Sequence, residues 1–338
     1  MNNRVIDKTV TTDFLDELLQ AATVFAPVNR DGVLCFGSLS NGNEASLNAH
    51  NTRLPPKEVF FPRSETLFTY DGGQMAPADP PARQRVVVGI RACDARSVAL
   101  LDKIFDTQEN QDPYYVSRRK NTTLIGLSCN NPLSTCFCTS VGSGPFSAKG
   151  LDLLWTDLGD RYLVEPITER GEALIAHSSL FRPATEQDED LKAKAAACAE
   201  QSVSGPSVQG IPENLDAMYD DPVWDGLRQV CLGCGLCTFL CPTCHCFDIV
   251  DEGDTVRGRR VRNWDTCQFS LFTRHASGHN PRPSSKERMR QRVMHKFNYL
   301  VKNLDEIGCV GCGRCVRECP VNLDIRAVLE SVKQAVVK

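Results

Sequence analysis

Apolar positions in the first half of the chain switch between two periods. Phe14, Leu15, Leu18, Leu19 and Ala22 fall on one face of a helix predicted over 13–24, which Asp13 can cap. Gly32–Phe36 has the pattern of a short strand, and the polar run NGNEASLNAHN that follows is a loop. Val86–Ile90 is a β-branched run suited to a buried strand. Ala95–Phe105 places Val98, Leu101, Ile104 and Phe105 at helical spacing, and Thr123–Leu127 is a second buried strand. Strand, helix and strand in that order predict a βαβ unit with parallel strands, hence an α/β layer. Leu151–Trp155 and Arg161–Glu165 are candidates for further strands. Beyond residue 184 the text turns polar: EQDEDLKAKAAACAEQ predicts a helix and SVSGPSVQGIPEN a linker. Near the C-terminus, Lys286–Leu304 predicts a helix with Met289, Val293, Phe297 and Leu300 on one stripe. The expected organisation is an α/β domain over 1–184, a helix and linker over 185–222, and a mainly helical domain over 223–338.

Cysteine spacing sharpens the picture of that last domain. The chain has 17 cysteines in 338 residues, and eight of them form two copies of C-x2-C-x2-C-x3-C-P, at Cys231–Pro242 and Cys309–Pro320. This run holds 4Fe–4S clusters: three thiolates wrap one cubane, and the fourth, ahead of a proline, reaches the other cluster. One cluster is therefore expected on Cys231, Cys234, Cys237 and Cys319, the other on Cys309, Cys312, Cys315 and Cys241. Gly233, Gly235, Gly311 and Gly313 let the loops curl and aim amides at sulfur. Zinc also binds paired CxxC, but it has no use for the third cysteine or the trailing Cys-Pro. The fold expected is an α/β domain followed by a two-cluster, mainly helical ferredoxin domain.

A further set lies in the α/β part. Cys93 follows the first strand of the βαβ unit, Cys129 follows the second, and Cys136 and Cys138 share the loop of Cys129. Residues just past the carboxyl ends of neighbouring parallel strands share one crevice. A third 4Fe–4S cluster on Cys93, Cys129, Cys136 and Cys138 is the expectation, with structural zinc as the competing one. Cys244, Cys246 and Cys267 are additional candidate ligands, with His245 or His275 as a companion, but packing around the ferredoxin pair is the stronger expectation because only three cysteines are in view. Cys35 and Cys198 have the setting of small buried hydrophobes. No P-loop, no GxGxxG opening a helix and no Ser/His/Asp or HExxH arrangement occurs, so neither a flavin nor an NAD site is expected.

Composition adds limits. With 41% hydrophobic and 24% charged residues and a net charge of −4, the chain has an ordinary globular make-up. Clustered CxxC spacing points to a reducing compartment rather than to disulfides. The N-terminus lacks a signal-peptide pattern, and no apolar run approaches the roughly 18 residues of a membrane helix; a cytoplasmic location without membrane insertion is expected. From residue 223 onward, 18 Lys+Arg face 12 Asp+Glu, out of 38 and 42 overall. The basic stretch 257–296 could face nucleic acid, but compensation of anionic cluster loops is the stronger expectation, and no nucleic-acid partner is expected.

The ensemble RLPPKEVFFPRSETLF, VVVGIRACDARSVALLDKIF, CNNPLSTCFCTSVGSGP, CPTCHCFD and WDTC…HNPR…ERMRQRVMHKFNY resembles one family. It is that of the iron–sulfur β subunits of cytoplasmic sulfhydrogenases and the A subunit of anaerobic sulfite reductases. Related subunits accompany heterodisulfide-reductase-type flavin complexes in anaerobes. The resemblance runs from about residue 53 to the C-terminus; the first 50 residues match least clearly. It implies a non-catalytic electron-transfer subunit in a hetero-oligomer, between a flavoprotein subunit that oxidises NAD(P)H and a catalytic reductase or hydrogenase subunit. A self-sufficient iron–sulfur reductase and a redox or iron sensor are the alternatives. The first needs a cluster with an open coordination site, the second a DNA-binding helix pair.

Overall fold

The computed structural model describes residues 2–78 and 83–336. The chain forms two compact units: Met1–Phe60 with Pro81–Ser204 and Val310–Cys312, and Phe61–Pro80 with Gly205–Cys309 and Gly313–Lys338. Among the described residues no helix is long and apolar enough to cross a membrane.

The first unit is built on an eight-stranded mixed sheet. Its strand order is Arg182–Pro183, Arg4–Asp7, Arg161–Pro166, Leu153–Asp157, Thr122–Leu127, Arg85–Ile90, Thr23–Arg30 and Val33–Ser38. The four strands Thr23–Arg30, Arg85–Ile90, Thr122–Leu127 and Leu153–Asp157 are parallel neighbours. Every residue of Arg85–Ile90 and Thr122–Leu127 is buried, as strands covered on both faces must be. Val86, Val88, Ile125 and Leu127 pack in one core cluster with Phe14, Leu15 and Leu18 of the helix Thr11–Ala21. That helix begins two residues before Asp13, which lies in its first turn and does not cap it. The helix Ala92–Phe105 supplies the crossover of the βαβ unit.

The expected boundary at residue 184 does not coincide with this division. The helix Glu186–Ser202 belongs to the first unit: a capping box joins Thr185 and Asp188, and the buried Asp188 pairs with Arg161 at 2.7 Å. Lys192 also pairs with Glu165. Cys35 is buried, facing Val28 across the edge pair of strands. Cys198 is exposed, contrary to expectation, because its neighbour Ala199 takes the inward position on the helix.

The second unit is not helical throughout. It contains a four-stranded antiparallel sheet in the order Phe247–Gly253, Arg257–Trp264, Ser64–Asp71, Gln74–Pro77. Gly72 and Gly73 (φ 55° and 86°) supply the two left-handed positions of the tight turn between the last two strands. Helices at Ile211–Ala217, Val223–Val230 and Ile325–Val336 accompany the sheet. The predicted Lys286–Leu304 helix is present but composite: Ser285–Met294, a π turn at His295–Tyr299, and Leu300–Leu304. Its stripe Met289, Val293, Phe297 and Leu300 is buried as the periodicity required.

The basic stretch is largely spent within the sheet. Arg257 pairs with Asp71 at 3.0 Å, Arg259 with Glu252 at 2.7 Å, and Arg260 with Asp251 at 2.7 Å. These exposed pairs contribute little each, but they offset the positive charge locally. Arg262 and Glu65 form a buried pair, each 4% exposed, with the guanidinium 5.0 Å above the Phe61 ring. Breaking such a pair strands a buried charge. Glu65→Ala is therefore expected to cost about 3–5 kcal/mol, measured as a lower denaturation midpoint, whereas the exposed Asp251→Ala should leave the midpoint close to the parent's. Equal effects of the two substitutions would contradict this assignment.

Candidate metal centres

In the first unit, the strand ends gather the N-terminal cysteines. Cys93 stands in the first turn of the helix Ala92–Phe105, just past Arg85–Ile90; Cys129 stands just past Thr122–Leu127. Cys93, Cys129, Cys136 and Cys138 all line one cavity of about 100 Å³. Arg91, a buried cation on its rim, holds the second loop by donating to the Leu127 carbonyl at 3.1 Å, and also to Ser128 and Ala49 carbonyls. Asn130 ties the same loop to the end of the next strand through the Asp157 carbonyl at 2.7 Å. Burial, with Cys129 and Cys136 nearby, pushes the Cys138 thiol up to about 12. A thiolate there needs a cationic partner, which a bound metal centre supplies.

A fifth cysteine completes this cavity, and no feature of the motif announces it. Cys312, grouped by spacing with Cys309 and Cys315, lies with Val310 and Gly311 in the first unit and lines the same wall. Three contacts seat it: Phe137 N–H donates to the Gly311 carbonyl at 2.8 Å, Asn51 to the Cys312 carbonyl at 2.7 Å, and the Cys136 thiol approaches that carbonyl at 3.8 Å. Gly311 has φ 64°, and a Cβ there would sit 2.5 Å from the Cys138 nitrogen and the Phe137 carbonyl carbon. The glycine that the motif places for loop curvature is thus also required by close backbone approach.

In the second unit, Cys231, Cys234, Cys237 and Cys319 line a single cavity, joined by Cys315. The Gly233 amide points at Cys231 Sγ (3.4 Å) and the Leu323 amide at Cys319 Sγ (3.2 Å). Such amides favour sulfur carrying negative charge. Met289 and Arg292 of the helix Ser285–Met294 close one side.

Cys241 is buried beside a buried ammonium. Lys296 Nζ lies 3.1 Å from Cys241 Sγ and also donates to Thr243 Oγ1 and the Gly308 carbonyl. A hydrogen bond from Cys244, together with Lys296, holds Cys241 well below the usual thiol range; Cys244 is pushed up correspondingly. Burial alone would lower the Lys296 pKa, yet Cys241 and Cys244, with Cys309 more weakly, hold it above normal. Arg292 is likewise held in its charged form against burial by Cys237, Cys315, Cys244 and Cys241. Its Nη1 is buried and donates to no atom of the described residues. A buried guanidinium nitrogen without an acceptor is costly, and an iron–sulfur cluster's sulfides supply that acceptor, so the residues fit such a group. Arg292, His295 and Lys296 stand at i, i+3 and i+4 of RVMHKF, a spacing that puts them on one helix face and is legible in the sequence.

Another cavity of the second unit is lined by Cys244, Cys246 and Cys267 with His245 and His295. His275 is not among its lining residues; it rings instead against His279 at 5.3 Å. His295 takes the place that the sequence left to His275.

The doubled motif and the cavity that joins Cys231, Cys234 and Cys237 to Cys319 define the class of protein: an iron–sulfur protein of the ferredoxin type. Residues 230–323 match a family described as a 4Fe-4S dicluster domain. Over 331 residues, 96% of each chain, the sequence is 31% identical to sulfhydrogenase 2 subunit beta of Pyrococcus furiosus. The chain belongs to this family of sulfhydrogenase beta subunits.

Proposed function

We propose that this chain is the electron-transfer subunit of a cytoplasmic, hetero-oligomeric oxidoreductase, set between a flavin- and NAD(P)-binding subunit and a catalytic reductase or hydrogenase subunit. The observation that carries the reading is the convergence of Cys231, Cys234 and Cys237 with Cys319, the last cysteine of the other motif, on one cavity. That is the cross-ligated pattern of a two-cluster ferredoxin. On this reading Cys231, Cys234, Cys237 and Cys319 hold one 4Fe–4S cluster and Cys309, Cys312, Cys315 and Cys241 the other. Cys93, Cys129, Cys136 and Cys138 hold a third. Bound clusters supply reversible one-electron storage at a potential set by burial, charge and hydrogen bonds to sulfur.

The protein's own residues set that environment. Lys296 and Arg292 place two buried cations against the thiolates of the second unit, which favours the more negative, reduced form and raises its potential. Glycine and leucine amides do the same from the loops. Arg91 and Asn130 hold the Cys129 loop over the strand ends, so that the N-terminal set is presented on a rigid sheet. The mutual dependence on partners is testable directly. The purified chain is expected to show no NADH- or NADPH-dependent reduction of its visible absorption, and to gain it when the flavoprotein subunit is added. A tightly bound flavin with NAD(P)H–dye activity in this chain alone would overturn the reading.

A further inference from the structure

The hairpin Phe247–Gly253/Arg257–Trp264 has its open end at an unassigned group of cysteines. Cys244, His245 and Cys246 run directly into its first strand, and Cys267 follows its second. The register pairs Phe247 with Trp264, and the Asp265 amide donates to the Cys246 carbonyl at 3.0 Å, so the ladder itself brings Cys246 and Cys267 to one side. These residues line a cavity of about 370 Å³. At about 30 Å³ per water, that is room for roughly a dozen waters, far beyond one metal ion.

The remaining walls set the charge and the available donors. Arg292 and Lys296, 5% and 3% exposed, both line this cavity, so its occupant faces two buried cations. A soft, polynuclear, anionic group matches three thiolates in that setting. His245 Nδ1 lies 3.0 Å from the Thr243 carbonyl. Donation from Nδ1 leaves Nε2 as the ligating nitrogen, the arrangement usual for metal-bound imidazole. His295 stands beside it, with ring centres 5.5 Å apart.

We propose that Cys244, Cys246, Cys267 and His245 hold a further 4Fe–4S cluster, distinct from the ferredoxin pair and from the N-terminal set. The proposal rests on the reading of the chain as an iron–sulfur protein, but on none of the other ligand sets. Its three cysteines come from the two ends of one hairpin, and its imidazole distinguishes it from the all-cysteine sites.

The full chain, purified without oxygen, provides the test through iron, sulfide and zinc content. Cys267→Ser is expected to lose about four irons and four sulfides relative to the parent, with its circular dichroism unchanged. Equal iron in a folded Cys267→Ser variant overturns the proposal, as does loss of one zinc with no iron. Failure of the ferredoxin or N-terminal sites does not imitate the result, since those are read by Cys241→Ser and Cys136→Ser. Should Cys267→Ser fail to fold, pulsed electron paramagnetic resonance of the reduced parent, labelled with nitrogen-15 histidine, decides. A strongly coupled histidine nitrogen that disappears in His245→Gln supports the site. Absence of that coupling in the parent, or its persistence in His245→Gln, overturns it.

Discussion

Cys241→Ser is expected to be the most damaging single substitution in the second unit, removing about four irons and lowering the anaerobic melting temperature steeply. Cys241 is 8% exposed and sits between Lys296 Nζ at 3.1 Å and Thr243 Oγ1 at 3.2 Å. Its thiolate offsets a lysine that is itself buried. Serine keeps the shape but stays neutral, so the variant strands the Lys296 ammonium in a low-dielectric site while removing a cluster ligand. Breaking a buried charge pair costs about 3–5 kcal/mol, a large share of the stability of any domain, and metal-linked folding adds to that. The double variant Cys241→Ser/Lys296→Met separates the two losses: stability is expected to recover in part, iron content not at all. Parental iron and an unchanged melting temperature in Cys241→Ser would remove Cys241 from the ligand set.

Cys136→Ser should act on a different centre and leave the fold in place. The loss of about four irons and of one paramagnetic signal is expected, while the signals of the ferredoxin pair remain. The reason for the difference is position. Cys136 is on a loop beyond the strand ends, half-buried, whereas the core of its unit lies between the sheet and its helices. A variant that retains all its iron but loses one zinc would establish the competing structural zinc site at Cys93, Cys129, Cys136 and Cys138. Cys312 lines the same cavity, so Cys312→Ser is the informative companion in the iron assay.

Local pattern was legible, and it was legible for physical reasons. Buried parallel strands need continuous apolar runs, so Val86–Ile90 and Thr123–Leu127 stand out, and each is found within one residue of its predicted limits. Thiolate spacing around a cubane is a short-range constraint, so the doubled motif was complete in the text. The strands of the second unit were not seen because Phe247–Gly253 is exposed on both faces and carries no period-two signal. The Asp-Gly-Gly-Gln turn at 71–74 is a hairpin cue that the sequence does carry.

The amino-acid sequence alone determined that the cysteine motif is doubled, that two strands flank a crossover helix, and the family to which the chain belongs. Only the tertiary structure decided which distant segments meet. Ser64–Asp71 pairs with Arg257–Trp264, turning a basic stretch into cross-strand ion pairs. Val310–Cys312 joins the N-terminal cavity, and Arg292, His295 and Lys296 face the thiols of Cys241–Cys246. Periodicity and spacing encode contacts a few residues apart, where backbone geometry fixes what can touch. Partners separated by scores of residues are chosen by burial, charge neutralisation and register summed over the whole fold, and no local pattern carries that sum.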